Sequence, residues 1–233
     1  MDTLCVYSNF WRRISMVQSE EYIKKLLNNE IIEFKEKTLV LASKSASRIK
    51  VLERAGLKFV AIPSLMDEEK LKTEFGEVKA EEVAANYVKR LSHEKAMWVY
   101  EHVKNAVVIG ADTVAFYKDE ILEKPKDEAD ARRIFTTLSN STHTVLTGVC
   151  IVDDKKVDNF VKVSPIKMLD IPKELQDILV KDKLTYTYAG GYCIDGNLQG
   201  RAIFEKEDFN NILGIPIEDI LVKLKEAGHD FSR

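Results

Sequence analysis

A loop rich in hydroxyl groups follows the apolar, β-prone run of residues 38–42. Hydroxyl and cationic side chains are dense here: Ser43, Ser45 and Ser47 alternate with Lys44, and Arg48 and Lys50 follow within a helical pattern. The first turn of a helix carries free N–H donors and partial positive charge, which suit an anion. The stretch therefore predicts a phosphate-binding loop between a strand and a helix. Capping serines beside a solvated basic face would produce the same pattern.

A single carboxylate follows a second apolar run. Residues 106–109 are apolar and β-prone, and they lead directly into Gly110, Ala111 and Asp112. Buried strands rarely carry an aspartate unless it is paired, hydrogen-bonded or bound to a cation. We therefore predict a central strand that delivers Asp112 at its end to a catalytic or cation-binding site.

Two other charged stretches have more ambiguous patterns. The acidic loop of residues 64–69, which contains Glu68, follows a short predicted strand and can be solvated surface or hold a metal ion. Pro125 forces an extended backbone at Lys124, so that this lysine is displayed at the end of a hairpin strand. Lys95, judged alone, is one more lysine on a helix surface.

In chain order, these stretches resemble the signatures of the Maf family of nucleoside triphosphate pyrophosphatases. The similar segments are residues 39–52 (family LASxSPRRxxLL), 88–96 (VxRLAxEKA), 110–113 (GADT), 123–127 (EKPRD), 139–152 (LSGxTHxVxTGVxxV), 188–196 (KAGAYGIQG) and 207–216 (GDYxNVVGLP). Ala46 and Ser47 depart from the first signature, where the family has Pro and the first Arg. The resemblance covers about residues 38–227.

The resemblance implies a set of site residues. It assigns catalysis to Asp112, Lys95 and Lys124, substrate binding to Ser43, Ser45, Arg48 and Asp195, and a divalent metal (Mg²⁺, Mn²⁺ or Co²⁺) to Glu68 and Asp112. Asp195 replaces the glutamine that the family places in its site. An ionised carboxylate cannot donate a hydrogen bond to phosphate, so Asp195 would repel the triphosphate or add a metal ligand.

The fold that the resemblance implies is α/β, an elongated mixed β-sheet with flanking helices, bilobed with a central cleft as in inosine triphosphatases. We expect residues 38–233 to form this domain and residues 1–37 to be an N-terminal extension with an amphipathic helix over roughly 19–35. Local patterns predict further elements: a helix over 79–103, a hairpin over 115–122, a helix capped by Asp127 that runs to about Leu138, antiparallel strands over 145–152 and 157–169, and a short helix over 172–180. His143 either approaches the site or is a satisfied polar residue at a strand start, and we favour the second alternative.

Composition narrows the function classes. A net charge of −3 and a pI near 5.9 argue against a dedicated nucleic-acid surface. No apolar run approaches the ~20 residues that span a bilayer. The three cysteines are scattered, which indicates reduced thiols and not a disulfide framework or a zinc site. We expect a soluble, cytoplasmic protein that acts on a nucleotide, and the resemblance implies a homodimer.

The leading functional hypothesis is the metal-dependent hydrolysis of a nucleoside triphosphate of the dTTP/UTP type, possibly including modified nucleotides, to the monophosphate and pyrophosphate. It is favoured by Gly-Ala-Asp-Thr at 110–113 and Ala-Gly-Gly-Tyr at 189–192. A 7-methyl-GTP-type pyrophosphatase is one alternative. The other is a catalytically weakened regulator of septum formation that binds nucleotide or nucleic acid, which Ser47 and Asp195 support.

Overall fold

A computed structural model of the protein describes residues 20–154 and 156–232. Within them, seven strands form one mixed sheet: β1 (Ile32–Leu41), β2 (Val60–Ala61), β3 (Val103–Tyr117), β4 (Glu120–Leu122), β5 (Thr142–Val152), β6 (Val157–Met168) and β7 (Ala202–Ile203). The spatial order is β2-β1-β3-β5-β6-β7, and β4 pairs with β3. β1 is parallel to β2 and β3, and the other pairs are antiparallel. The expected mixed α/β sheet is confirmed, and the bilobed shape stays a prediction.

Helices flank this sheet: α1 (residues 20–27), α2 (Ala46–Arg54), α3 (Glu68–Phe75), α4 (Glu81–Glu101), α5 (Glu128–Leu138), α6 (Lys173–Leu179), α7 (Phe209–Ile212) and α8 (Ile217–Glu226). The predicted hairpin, the two long antiparallel strands and the helices α4, α5 and α6 are confirmed. Asp127 caps α5 as predicted, because its Oδ1 accepts a hydrogen bond from Asp130 N at 2.8 Å. No helix among the described residues is long and apolar enough to cross a membrane.

The N-terminal prediction is wrong in its second half. The helix expected over 19–35 ends at residue 27, and β1 begins at Ile32, because a turn with Asn29 at φ 61° redirects the chain. Leu26 and Ile32 are buried in one apolar cluster with residues of α4 and β3. This segment therefore packs on the domain. The predicted helix start at Ser19 lies outside the described residues, and the domain boundary at 37 stays a prediction.

Two glycines allow α4 to lie very close to the centre of the sheet. A Cβ atom at Gly110 on β3 would lie 2.3 Å from the carbonyl oxygen of Ser92, and one at Gly148 on β5 would lie 2.2 Å from that of Val88. Any side chain would push the helix away from the sheet. The close approach brings the buried face of α4, including Lys95, directly over β3.

The two edges of β3 are paired differently. β1 pairs with β3 only as far as Leu41 opposite Ile109, and β4 begins to pair only at Ala115. On the opposite edge, β5 pairs without interruption from Val108 to Phe116. Residues 110–114 therefore have a strand neighbour on one edge only, among the described residues. The prediction that the strand ends at Asp112 is wrong, because β5 continues the ladder past it.

Candidate active site

The centre of the candidate site is a lysine between two carboxylates. Lys95 Nζ on α4 lies 2.6 Å from Asp112 Oδ1 and 2.9 Å from Glu68 Oε2. The Lys95 side chain is buried, whereas about half of the Glu68 side chain is exposed. Lys95 is thus not the surface lysine that its local sequence predicts. The close packing of α4 at Gly110 buries it and turns its ammonium group toward Asp112.

Glu68 is placed by a helix that the sequence did not predict. The acidic stretch of residues 64–69 is a loop only up to Asp67, whose Oδ1 accepts a hydrogen bond from Lys70 N at 3.0 Å and caps α3. Glu68 and Glu69 form the first turn, where the helix dipole stabilises negative charge. The prediction of a wholly irregular acidic loop is therefore wrong, while Glu68 does reach the site.

Arg48 occupies the opposite face of β3 from Lys95. Its Nε donates to the carbonyl oxygen of Gly214 at 2.8 Å, Nη2 donates to Thr113 Oγ1 at 2.9 Å, and Nη1 donates to Ser43 Oγ at 3.3 Å. Burial lowers the pKa of Arg48, and the nearby carboxylates of Asp112 and Glu68 oppose this shift. Successive residues of a strand face opposite sides of the sheet. Asp112 therefore contacts Lys95 on one face of β3, and the next residue, Thr113, contacts Arg48 on the other face.

The serine loop lies at the N-terminus of α2. Ser45 is the N-cap of α2, and its Oγ accepts a hydrogen bond from Arg48 N at 3.5 Å. Ser43 is mostly buried, and its Oγ accepts a hydrogen bond from Ser45 N at 3.2 Å in addition to the one from Arg48. The capping alternative therefore holds for Ser45, and phosphate binding by the two serines stays a prediction. The loop joins β3 through Ala42 N, which donates to Ile109 O at 2.8 Å.

Asp195 faces α2. Its Oδ2 lies 3.1 Å from Lys50 Nζ and 3.6 Å from Arg54 Nη1, and its Oδ1 accepts from Cys193 Sγ at 3.1 Å. Burial raises the pKa of Asp195, but the hydrogen bonds from Cys193 and Lys50 and the charges of Lys50 and Arg54 outweigh it and lower the pKa overall. Asp195 is therefore an ionised carboxylate held by two cations of the helix that follows the serine loop.

Lys124 is exposed in a bend two residues beyond the end of β4 and forms no ion pair with a described residue. Its display at a strand end is confirmed. Beside it, a cavity of about 510 Å³ opens between α3, the loop after it and the β3–β4 hairpin. Lys72 of α3 pairs with Glu123, and both line the cavity. The structure thus unites Glu68, Lys95 and Asp112 but leaves Lys124 without direct contact to them.

The residues that sequence reasoning missed are those that support the charged groups. Thr113 accepts from Arg48 and contacts Thr147 Oγ1 at 3.1 Å, and Gly214 provides a carbonyl from the distant loop before α8. Tyr87, in the cavity wall, has its pKa raised by burial and then by carboxylates that include Asp112 and Glu123. The sequence signal that pointed to Thr113 was its place in the Gly-Ala-Asp-Thr motif, and this motif did not predict which residues Thr113 contacts.

The donor set fits a divalent metal ion shared with a substrate. The carboxylates of Glu68 and Asp112 both contact the Lys95 ammonium, so that they lie close to each other. Mg²⁺ is commonly bound by one or two carboxylates together with water and phosphate oxygens. No group of three or more His, Cys, Asp or Glu side chains is arranged for a metal ion within the described residues. Glu68 and Asp112 fit a metal ion that takes its remaining ligands from water or from another molecule.

Comparison with known proteins decides the family. A family model described as "Maf-like protein" matches residues 38–227. The chain belongs to the Maf family. This match confirms the resemblance that the motifs indicated, and it spans the serine loop, the Glu68–Lys95–Asp112 cluster and the Asp195 segment of this Maf protein.

Individual Maf relatives match over most of their length. The chain is 35% identical over 195 residues to a dTTP/UTP pyrophosphatase of Geobacillus sp. (strain WCH70), covering 82% of this chain and 99% of that protein. It is 34% identical to the protein of that name from Agathobacter rectalis, covering 82% and 98%. It is 33% identical to the one from Aquifex aeolicus, covering 81% and 94%.

Proposed function

We propose that this protein hydrolyses dTTP and UTP to the nucleoside monophosphate and pyrophosphate, with the help of a divalent metal ion. Its membership of the Maf family and its relatives make it a nucleoside triphosphate pyrophosphatase, an enzyme that acts on acid anhydrides. The substrate choice and the metal dependence are the proposal. The observation that carries it is the convergence of Glu68, Lys95 and Asp112 beside the unpaired edge of β3.

Cations fixed by the fold would stabilise the charge on the triphosphate. Lys95 approaches from α4, and the guanidinium of Arg48 is held by three hydrogen bonds. Lys124 is exposed after the hairpin and forms no ion pair with a described residue. Charge-assisted contacts to phosphate are about twice as strong as neutral hydrogen bonds. Because the protein holds Arg48 and Lys95 before substrate binds, the charges need little reorganisation during reaction.

Asp112 would activate the attacking water. Its Oδ1 accepts from Lys95, and Oδ2, which has no partner among the described residues, would orient a water molecule and accept its proton. Glu68 and Asp112 would hold the metal ion. Such an ion supplies neutralisation of phosphate charge and a more acidic water. The hydroxyl of Ser43 and the N–H groups at the start of α2 would bind the remaining phosphate oxygens.

The cavity between α3 and the β3–β4 hairpin is a candidate position for the nucleoside. Its volume of about 510 Å³ falls within the range of small-molecule sites. Its lining includes Glu69 and Glu123, the sequence neighbours of Glu68 and Lys124. Tyr87 and Ile121 provide apolar surface there for a base or sugar.

A turnover assay tests the proposal. The protein is incubated with dTTP, UTP, the other common triphosphates and 7-methyl-GTP, each with Mg²⁺, Mn²⁺, Co²⁺ or a chelator, and the products are separated. We expect monophosphate and pyrophosphate from dTTP and UTP, and no turnover with chelator. Preferential cleavage of 7-methyl-GTP would overturn the proposed substrate. Tight nucleotide binding without cleavage would instead support a regulator, and release of single phosphate would exclude a pyrophosphatase.

A further inference from the structure

We propose that Lys50 is a second phosphate-binding cation of α2 and that Asp195 is its positioning residue. The inference rests on the proposed function, because the phosphate is that of the nucleotide. Lys50 Nζ lies 3.1 Å from Asp195 Oδ2, and the Lys50 side chain is 41% exposed. The ammonium therefore has one fixed protein partner and open space for another anion.

Lys50 lies in the second turn of α2, the helix that follows the serine loop. Lys50 is three residues after Ser47, so that the two lie on the same helix face. Side chains on a helix lean toward its N-terminus, and the N-terminus of α2 begins at the Ser45 cap. Lys50 can thus supply a positive charge next to Ser47, where the hydroxyl group offers none.

Asp195 is anchored well enough to orient this lysine. Asn197 Oδ1 accepts from Cys193 N at 2.8 Å, and Asn197 Nδ2 donates to the carbonyl oxygen of Gly191 at 3.0 Å, which fixes the turn that carries Asp195. Oδ1 of Asp195 is occupied by the Cys193 thiol. Only Oδ2 is shared between Lys50 and Arg54, so that the carboxylate holds both cations at one end.

The charge balance at this cluster favours phosphate. One carboxylate faces two cations, and the lowered pKa of Asp195 keeps it ionised in that environment. The sum over Lys50, Arg54 and Asp195 is positive, so these three groups together favour an anionic partner. Asp195 is thereby engaged by the protein's own cations.

A double-mutant cycle tests the pair. Wild type, Lys50→Met, Asp195→Asn and the double variant are compared by KM and kcat for dTTP at saturating Mg²⁺, and by calorimetric Kd for inorganic pyrophosphate without metal. We expect Lys50→Met to raise both KM and Kd about five- to tenfold with little change in kcat. Asp195→Asn should raise them about two- to fivefold in the wild-type background and have no further effect in the Lys50→Met background. Lys181→Met, at an exposed lysine after α6, is the matched control and should match wild type.

Each of the other possible results of this cycle contradicts one part of the proposal. Unchanged KM and Kd in Lys50→Met would exclude Lys50 as a phosphate ligand. A lower KM in Asp195→Asn would mean that Asp195 repels substrate. A shift in the Mn²⁺ dependence of activity by Asp195→Asn in both backgrounds would make it a metal ligand. If wild type cleaves no nucleotide, the proposed function fails, and the pyrophosphate affinities still decide the role of Lys50. Melting temperatures within about 2 °C of wild type show that the variants are folded.

Discussion

Lys95 Nζ lies 2.6 Å from Asp112 Oδ1, on the face of β3 that α4 covers. The contact joins the carboxylate of a central strand to a lysine seventeen residues earlier in the chain. Glu68 completes the cluster from the start of α3. In this state the lysine forms ion pairs with two carboxylates, which are the same groups that a divalent metal ion would use.

Replacing Asp112 with Asn should abolish hydrolysis while the fold remains intact. The amide keeps the shape but loses the charge and the basicity that water activation requires, and removal of a general base typically costs about 10²–10⁴-fold in rate. The measurements are kcat for dTTP and the melting temperature. Asp219→Asn on α8, at a half-exposed carboxylate paired with Lys162, is the matched control. Near-normal turnover in Asp112→Asn would make this residue structural.

Replacing Lys124 with Ala should reduce kcat/KM without lowering thermal stability. Loss of one charge-assisted phosphate contact is expected to cost about 1.5–3 kcal/mol of transition-state stabilisation. The exposed side chain forms no ion pair with a described residue, so the folded protein loses no contact. Lys126→Ala, two residues along the same exposed segment, provides the control. A melting temperature that falls together with activity would indicate a structural role instead.

Replacing Lys95 with Met should make stability depend on divalent metal. Without the ammonium, Glu68 and Asp112 repel each other, and we expect the free energy of unfolding to fall by about 1–3 kcal/mol. Mg²⁺ or Mn²⁺ should raise the melting temperature of this variant more than that of wild type, because the cation replaces the lost charge. Differential scanning calorimetry with and without metal measures this. Equal metal effects on both proteins would place the metal ion elsewhere.

Replacing Gly110 with Ala should destabilise the protein and impair the site together. The new Cβ would lie 2.3 Å from Ser92 O and 2.7 Å from Ala96 N, so α4 must move away from β3. Overpacking of this kind costs about 1–3 kcal/mol. Movement of α4 would also carry Lys95 away from Asp112. Denaturant unfolding and kcat give the two readouts, and Ala111→Gly on the same strand tests for a general effect of strand substitution.

His143 should make the protein less stable as the pH falls from about 6.5 to about 4. Burial lowers the pKa of His143 to about 4, and its Nε2 lies 2.6 Å from the Tyr192 hydroxyl. In this window the unfolded state binds a proton that the folded state does not, so the free energy of unfolding decreases toward acid, by ~3 kcal/mol in total. Above pH 6.5 His143 is neutral in both states, and this loss of unfolding free energy is absent.

Chemical denaturation at several pH values measures this slope in wild type and in His143→Gln, which cannot titrate. The variant should lose most of the slope between pH 6.5 and pH 4. An identical slope in both proteins would assign the acid sensitivity to other groups. His143 lies at the start of β5 as predicted, but only its Nε2 is satisfied, because its Nδ1 has no partner among the described residues.

The sequence alone predicted the elements whose signals are local. Asp127 is followed by an amphipathic pattern, and it caps α5 as expected. The apolar runs of β3 and β5 were identified from composition and alternation, since side-chain burial on a sheet leaves a periodic pattern. The motifs indicated the family, and they named Asp112, Lys95 and Glu68, whose side chains meet in the structure. Their roles in the site stay a prediction.

Tertiary structure decided which of these side chains meet and what each one contacts. The local sequence predicts that Lys95 is a surface residue. In the structure it is buried, because α4 packs closely on Gly110, a contact that no local pattern encodes. Asp112 lies inside a strand and not at its end, because β5 continues pairing where β1 stops. Asp195 is engaged by Lys50, which precedes it by 145 residues. The sequence by itself determined the chemical groups and the local elements, whereas contacts between distant segments set their burial, charge and partners.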